Sequence, residues 1–403
     1  MHHEGVANLA RFDGVDDLTA HDLRERGSLK WTAFGGGVIG AFVAEMDVGT
    51  AHAVTQALRE AVGRGEFGYL PPRRIDALRH ACARWQKERY GWAVAPERVF
   101  PVSGVLAALE VTMRHFSRPD RPVIVPTPAY PPFLTLPAQH GRKVIQVPMV
   151  RDGGRYTLDL DGIDRAYRAG ADLLVLCNPA NPVGRVFDVD DLTAVTEVVD
   201  RHGGHVFADE IHAPLTYQPR RHTPYAATSP TAAGHAVTAV SASKAWNLSG
   251  LACAQVITPL EDGFAWQRVA GSPPTTASTL GAIASTAAYR AGGAWLDDLL
   301  AYLDRNRRAL ADLLTTHLPE VEYEPPEGTY LAWLDCRRLG IESPLADFFR
   351  EEAGVAMLDG DACGEAGHGF VRLTFATPLP ILHRAVTRMA HAYHREVSSR
   401  RTR

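Results

Sequence analysis

From about residue 100 to 260 the chain alternates short apolar runs with amphipathic ones, and nearly every apolar run stops at a polar cluster. Pro122 to Val125 runs into Pro-Thr-Pro, Asp172 to Cys177 into Asn-Pro, His205 to Ala208 into Asp-Glu, and Ala236 to Val240 into Ser-Ala-Ser-Lys. That rhythm predicts strand, helix, strand with a mainly parallel sheet, and Leu192 to Arg201 is one of the intervening helices. Open sheets of this kind gather ligands outside the carboxyl ends of their strands, so these clusters are expected to converge on one pocket.

The last third has a different texture. A long charged helix through Leu299 to Leu314 precedes a strand, Tyr330 to Asp335, and a final helix begins at Leu379. At 403 residues the chain exceeds what one core usually organises. The expected layout is a large domain over residues 46–285 and a smaller α+β domain made of residues 1–45 and 286–403.

Several classes of function are disfavoured. A net charge of -4 does not suggest a nucleic-acid partner. The basic end, Ser-Ser-Arg-Arg-Thr-Arg403, is expected to be a frayed tail. Met-His-His-Glu-Gly5 lacks a charged-then-apolar leader and no apolar run is long enough to span a membrane, so a cytoplasmic protein is expected. Cys82, Cys177, Cys253, Cys336 and Cys363 form an odd set without a CxxC pair, which fits reduced thiols.

Two motifs are discounted. Gly35-Gly-Gly-Val-Ile-Gly40 satisfies the dinucleotide fingerprint literally, but no strand precedes it and Glu45-Met-Asp follows where a helix should continue, so a turn is expected. His202, His205 and His212 with Asp209 span a strand end and the turn beyond it, and strand alternation gives them no reason to face one point; no metal is expected.

The strand-end residues each admit two readings. Lys244 alone reads as a surface lysine, but in a desolvated site near another cation it has the low pKa that a Schiff-base lysine needs. Ser241 and Ser243 offer hydroxyls to a phosphate. Asp209, behind His-Val-Phe-Ala, is expected to be buried and to require a cation: a structural partner, or a protonated pyridine nitrogen. In Asn178-Pro-Ala-Asn-Pro-Val-Gly-Arg185 two prolines and Gly184 pin a turn that presents Asn181. Ser103-Gly-Val-Leu106 opens a helix whose free amides suit a phosphate, or is merely an ordinary helix start. Tyr130 is a core aromatic or a stacking face. Arg372, inside Phe-Val-Arg-Leu-Thr374, needs an anion: a buried structural partner or a substrate carboxylate.

In order and spacing these clusters resemble the fold-type-I pyridoxal-phosphate enzymes of the class I/II aminotransferase group, and within it the carbon–sulfur β-lyases of the cystathionine β-lyase kind. The resemblance runs from Lys30-Trp31 to Arg372. It is carried by Val43-Ala-Glu-Met-Asp47, Phe67-Gly-Tyr69, Pro128-Ala-Tyr-Pro-Pro-Phe133, Asn178 to Arg185, Asp209-Glu-Ile-His212, Ser241-Ala-Ser-Lys-Ala-Trp-Asn-Leu248 and Pro326-Glu-Gly-Thr-Tyr-Leu-Ala-Trp-Leu334. It implies an α/β fold: a mainly parallel, mixed seven-stranded sheet flanked by helices, plus the smaller α+β domain. It further implies pyridoxal 5'-phosphate bound covalently to Lys244, with Asp209 on the pyridinium nitrogen, Asn181 and His212 on the phenolic oxygen and Tyr130 stacked on the ring. The Val105 and Leu106 amides with Ser241 and Ser243 would hold the phosphate, and Arg372 the substrate carboxylate. Tyr69 would reach the phosphate of a neighbouring subunit, implying a homodimer with shared sites.

The implied activity is β-elimination from a cysteine S-conjugate or cystathionine, with an aminotransferase as the alternative. Many class I transaminases carry an arginine eight residues after the lysine. Here that position is Ala252, which favours the lyase and leaves the phosphate charge uncompensated by any cation visible in the sequence. A sensor domain of a transcription regulator is disfavoured, since only about thirty residues precede the matched region.

Overall fold

Each of the four apolar runs forms a strand in the computed structural model, which describes residues 12–259, 266, 276–341 and 344–401. In chain order the strands of the large sheet are β1 (Val99–Val102), β2 (Val123–Thr127), β3 (Val144–Pro148), β4 (Leu173–Cys177), β5 (His205–Asp209), β6 (Ala236–Val240) and β7 (Ala254–Ile257). They lie side by side as β1-β7-β6-β5-β4-β2-β3. Pairing is parallel from β6 to β3, and β7 runs antiparallel to both β6 and β1. The seven-stranded mixed sheet expected from the sequence is therefore present. β4, β5 and β6 are apolar along nearly their whole length because helices cover both faces.

Register aligns the functional strand ends. Cys177 pairs with Asp209, and Asp209 with Ala239, so the residues that follow these strands emerge along one rim.

The helices α1 (His52–Gly63) and α2 (Pro72–Tyr90) precede the sheet, α3 (Val105–His115) packs on it, and α4 (Val189–Arg201) matches the predicted Leu192–Arg201. The helix α5 (Thr279–Ala291) packs against α1 and α2, and α6 (Gly293–His317) follows it directly. The anticipated boundary at residue 285 falls inside α5. Beyond it a four-stranded antiparallel sheet is formed by β8 (Glu322–Tyr323), β9 (Leu331–Asp335), β10 (Leu358–Asp359) and β11 (Phe370–Thr374), in the order β8-β9-β11-β10. The closing helix α7 (Leu379–Arg401) packs on α6.

Gly36 and Gly37 form a turn, and Ile39–Gly40 pairs in parallel with Val355–Ala356, so no dinucleotide-binding helix follows the glycines. Gly40 is required by close approach, because a side chain there would collide with the Lys30 carbonyl.

One expectation is corrected. The basic end is not a frayed tail up to Arg401: α7 continues through it, with Arg400 ion-paired to Glu396 (2.7 Å) and donating to the Gly340 carbonyl (2.7 Å). Those contacts tie down the last turn, which composition alone presents as solvated. Thr402 and Arg403, like Met1 to Gly5, lie outside the described residues. Among the described residues no helix is long and apolar enough to cross a membrane. All five cysteines are free, and burial pushes the Cys82 thiol up to about 12 and the Cys253 thiol to about 11.

Candidate active site

The strand ends converge on a cavity of about 350 Å³. Its lining includes Val105, Leu106, Tyr130, Asn181, Asp209, His212, Ser241, Ser243, Lys244 and Arg372. Tyr69 is absent from that lining and is 99 % exposed on the surface of its own chain.

Lys244 sits in the loop after β6, and Trp246 fixes that loop. The Trp246 ring is fully buried, edge-on to Trp85 (5.2 Å) and Tyr289 (5.8 Å), and its indole N–H donates to the Gly292 carbonyl (3.1 Å). Truncating so buried a tryptophan costs about 3–5 kcal/mol, so the loop is firmly held. The Lys244 amine donates to the Ala44 carbonyl (3.0 Å) and lies 3.4 Å from the Ser249 hydroxyl. Burial, followed by the nearby Arg372 guanidinium, lowers the Lys244 pKa to about 8. The sequence argument required those two influences, and both are present.

Asp209, at the end of β5, is 4 % exposed. Its carboxylate accepts from the Ile211 amide (3.0 Å) and lies 3.8 Å from the Cys177 thiol, but forms no ion pair among the described residues. Burial pushes its pKa up to about 7. A buried carboxylate in that condition is costly to ionise and is suited to a cationic N–H donor. Glu210 points elsewhere, accepting from the Tyr225 amide (2.7 Å) with His222 3.2 Å away.

His212 is buried beside Asp209 on the same turn, and its Nδ1 has no hydrogen-bond partner among the described residues. Burial first, then Lys244 and Arg372, lowers its pKa to about 3, so the ring is neutral at physiological pH. The other two histidines of the discounted metal set go elsewhere: His202 meets Asp164 (2.9 Å) and stacks on Tyr167. His205 lies at the opposite end of β5 from Asp209.

Asn181 stands on the predicted rigid turn. Gly184 there has φ +68°, and a side chain at Gly184 would run into Pro326, so glycine is needed. Arg185 locks the turn through Glu327 (2.6 Å) and Asp191 (2.6 Å). The Asn181 side-chain oxygen Oδ1 accepts from Arg372 (3.0 Å).

Arg372, from β11, is 4 % exposed and has no carboxylate partner among the described residues. Its second nitrogen donates to the Phe42 carbonyl (2.8 Å), its Nε has no partner among the described residues, and burial lowers its pKa. A guanidinium held only by neutral oxygens retains its capacity for an anion.

The other wall supplies donors. α3 begins at Val105 with no side-chain cap at Gly104, leaving its first amides for a ligand. The Ser241 and Ser243 hydroxyls lie 2.9 Å apart, Ser241 Oγ donating to the Cys253 carbonyl (2.8 Å) and accepting from the Ser243 amide (3.0 Å). Tyr130 stands at the start of the helix Pro131–Gln139, edge-on to Phe133 (5.4 Å), and burial raises its pKa. At Ala252 the backbone is left-handed (φ +47°), and the cavity's cationic lining residues are Lys244 and Arg372.

Sequence reasoning missed the segment Ala41 to Val48. Its carbonyls at Phe42 and Ala44 hold Arg372 and Lys244, and Ala44 also accepts from Tyr330 Oη (2.8 Å). Asn247 was missed too: its amide donates to the Met46 (3.0 Å) and Val48 (2.9 Å) carbonyls and accepts from the Met46 N–H (3.2 Å). Ala44, Met46 and Asn247 lie inside motifs that carried the resemblance, which was the available signal; Phe42 lies just outside them.

Residues 41–389 match the family described as aminotransferase class I and II. A cystathionine beta-lyase of Corynebacterium glutamicum is 36 % identical, the match covering 92 % of this chain and 97 % of that protein. The crystal structure of a Corynebacterium diphtheriae protein, described provisionally as a PLP-dependent β-cystathionase, is 40 % identical with a TM-score of 0.89, over 94 % of this chain and 98 % of that one. The PLP-bound C–S lyase of Staphylococcus hominis is 27 % identical with a TM-score of 0.86, over 92 % and 96 %.

Proposed function

The chain belongs to the aminotransferase class I and II family, and from that membership we propose that it is a pyridoxal-phosphate-dependent carbon–sulfur β-lyase. It acts on a cysteine S-conjugate or cystathionine and releases a thiol, pyruvate and ammonia. The observation that carries the cofactor assignment is Asp209: a buried carboxylate with no ion pair among the described residues, in the same cavity as a lysine whose pKa is lowered to about 8. The names of the lyase relatives and the alanine at 252 support the choice of reaction.

The residues fit the cofactor part by part. Asp209 would take the pyridinium N–H, Asn181 and neutral His212 the phenolic oxygen, Tyr130 the ring face, and the Val105 and Leu106 amides with Ser241 and Ser243 the phosphate. Lys244 would hold it covalently. When bound, pyridoxal phosphate supplies an electron sink that makes an amino acid's α-proton acidic.

Arg372 holds the substrate α-carboxylate through its fork, beside Asn181. Lys244, once its amine is free, takes the α-proton as general base, a role for which a pKa of about 8 is suited near neutral pH. With a thioether sulfur on the β-carbon, loss of the α-proton lets the carbon–sulfur bond break with its electron pair leaving on sulfur as a thiolate, and the enamine that remains hydrolyses to pyruvate and ammonia.

The working unit in this reading is a cytoplasmic homodimer. Tyr69, with Phe67 (67 % exposed) and Val62 (51 % exposed) nearby in the chain, is available to a second copy and would reach that copy's phosphate. The Thr279 hydroxyl holds the Gly68 carbonyl (2.7 Å), and Glu66 pairs with Arg74 (2.7 Å), so this exposed loop is braced. The two-domain division, with residues 46–285 as the larger part, belongs to the same reading.

Incubation with cystathionine and with S-alkyl cysteines should yield thiol and pyruvate in equal amounts. Nitrogen transfer to a keto acid without thiol release would instead make the protein an aminotransferase.

A further inference from the structure

Behind the pocket, one buried carboxylate joins chain segments that sequence separation keeps far apart. Asp47 is 4 % exposed and accepts from the Lys30 ammonium (2.7 Å), the Trp31 indole N–H (2.7 Å) and the Thr377 hydroxyl (2.6 Å). Its own amide donates to the Ala376 carbonyl (2.9 Å), and its carbonyl accepts from Arg26 (2.9 Å). The Lys30 and Asp47 side chains are 0 % and 2 % exposed, so this pair is shielded from solvent.

The position of Asp47 in the chain gives the cluster its meaning. Residues 41–47 form a strap beside β11 and the residues that follow it, anchored by backbone hydrogen bonds at Ala41 and at Asp47 and held between them by Tyr330 at Ala44 and by Asn247 at Met46. Ala41 accepts from the Thr374 amide (2.9 Å) and donates to the Ala356 carbonyl (2.8 Å), while Asp47 donates to Ala376. Between these fixed points lie the Phe42 carbonyl, which holds Arg372 of β11, and the Ala44 carbonyl, which holds the Lys244 amine. Loosening the far end lets the intervening carbonyls drift relative to β11, and with them the partners of both cations.

We propose that Asp47, with Lys30 and Thr377, is a positioning hub: it fixes the strap so that the Phe42 and Ala44 carbonyls aim Arg372 at the substrate carboxylate and the free Lys244 amine at the α-carbon. The hub touches neither substrate nor cofactor. The proposal rests on the roles given above to Arg372 and Lys244.

Thr377 is the residue to change, because removing either member of the buried ion pair would leave an uncompensated charge and risk the fold. Thr377→Val keeps the shape and deletes one hydrogen bond to a charged acceptor. Calorimetric titration of the purified protein with an α-methyl amino acid, which has no α-proton to lose, reads the grip of Arg372 on a carboxylate without requiring turnover. Thr377→Val should weaken that binding about tenfold and lower kcat with a good substrate by a similar factor, the size expected when a hydrogen bond to a charged group is lost from a preorganised site. Thr377→Ser should restore both, with visible cofactor absorption equal in all three proteins. A Thr377→Val protein that melts earlier yet keeps wild-type affinity and kcat would show that the hub is only structural, and the proposal would fall. Wild-type protein without cofactor absorption would overturn the proposed function and the hub with it, whereas cofactor absorption together with unchanged affinity and kcat in Thr377→Val would overturn the hub alone.

Discussion

The floor of the pocket is made of side chains at strand ends, whereas the strap from Ala41 to Val48 meets the same two cations with backbone carbonyls. Lys244, Asp209 and Asn181 on the floor owe their chemistry to residue identity. Phe42 and Ala44 on the strap contribute oxygens that every residue possesses. In the proposed reading the floor sets which reaction is available and the strap sets where the reacting groups stand, and substitutions can separate those two kinds of contribution.

The largest expected effect is on the floor. In the proposed reading Lys244 is both the covalent attachment point and the general base, so in Lys244→Ala thiol release from cystathionine should fall by about a thousandfold or more. The visible absorption of the lysine-bound cofactor should vanish with it. An unchanged absorption band in Lys244→Ala would break the floor assignment.

Asp209 provides the next effect, and its sign is opposite in the cofactor-free protein. Its folded pKa of about 7 lies above the ordinary carboxylate value of 3.8, so between those limits the folded state binds more protons than the unfolded one. Stability from this group is fully present below about pH 4 and is lost as the pH rises through 7. The slope cannot exceed about 1.4 kcal/mol per pH unit. Denaturant unfolding of cofactor-free protein at pH 5.5 and 7.5 should show that loss, and Asp209→Asn should flatten it. In the loaded enzyme a cationic partner would compensate the carboxylate, so Asp209→Asn should weaken cofactor retention instead. An equal pH slope in wild type and Asp209→Asn would mean that Asp209 is not an uncompensated buried charge.

The same contrast explains what the sequence makes legible. Apolar runs ended by polar clusters reveal β2, β4, β5 and β6, because burial on both faces demands continuous apolar residues and ligand chemistry collects where the strands stop. Lys244, Asp209, Asn181 and Arg372 could be singled out because a charge or a pinned amide beside an apolar run requires a partner. The Ala44 carbonyl has no such signature, since nothing about an alanine announces that its oxygen will hold a lysine 200 residues away. Asp47 was visible as part of a motif, but its partners Lys30 and Thr377 are 347 residues apart and tertiary structure alone brings them together. The tail was misread for the converse reason: the contacts of Arg400 with Glu396 and Gly340 hold a helix end whose composition suggests fraying.

The smallest effect tests how the strap is joined to the floor. Asn247, three residues after Lys244, clasps the strap through Met46 and Val48 and does so from a left-handed backbone (φ +57°). Asparagine tolerates that conformation better than most residues, and glycine tolerates it without strain. Asn247→Gly therefore loses the clasp alone, at about 1 kcal/mol for each hydrogen bond, while Asn247→Ala loses the clasp and adds about 1–2 kcal/mol of backbone strain. Melting temperatures should fall in the order wild type, Asn247→Gly, Asn247→Ala. If the clasp positions the strap, both variants should weaken binding of an α-methyl amino acid by the same factor, because strain in the lysine loop alters stability but the missing hydrogen bonds are common to both. Affinity that instead tracks melting temperature across the three proteins would mean that Asn247 supports the fold without aligning the strap against the floor.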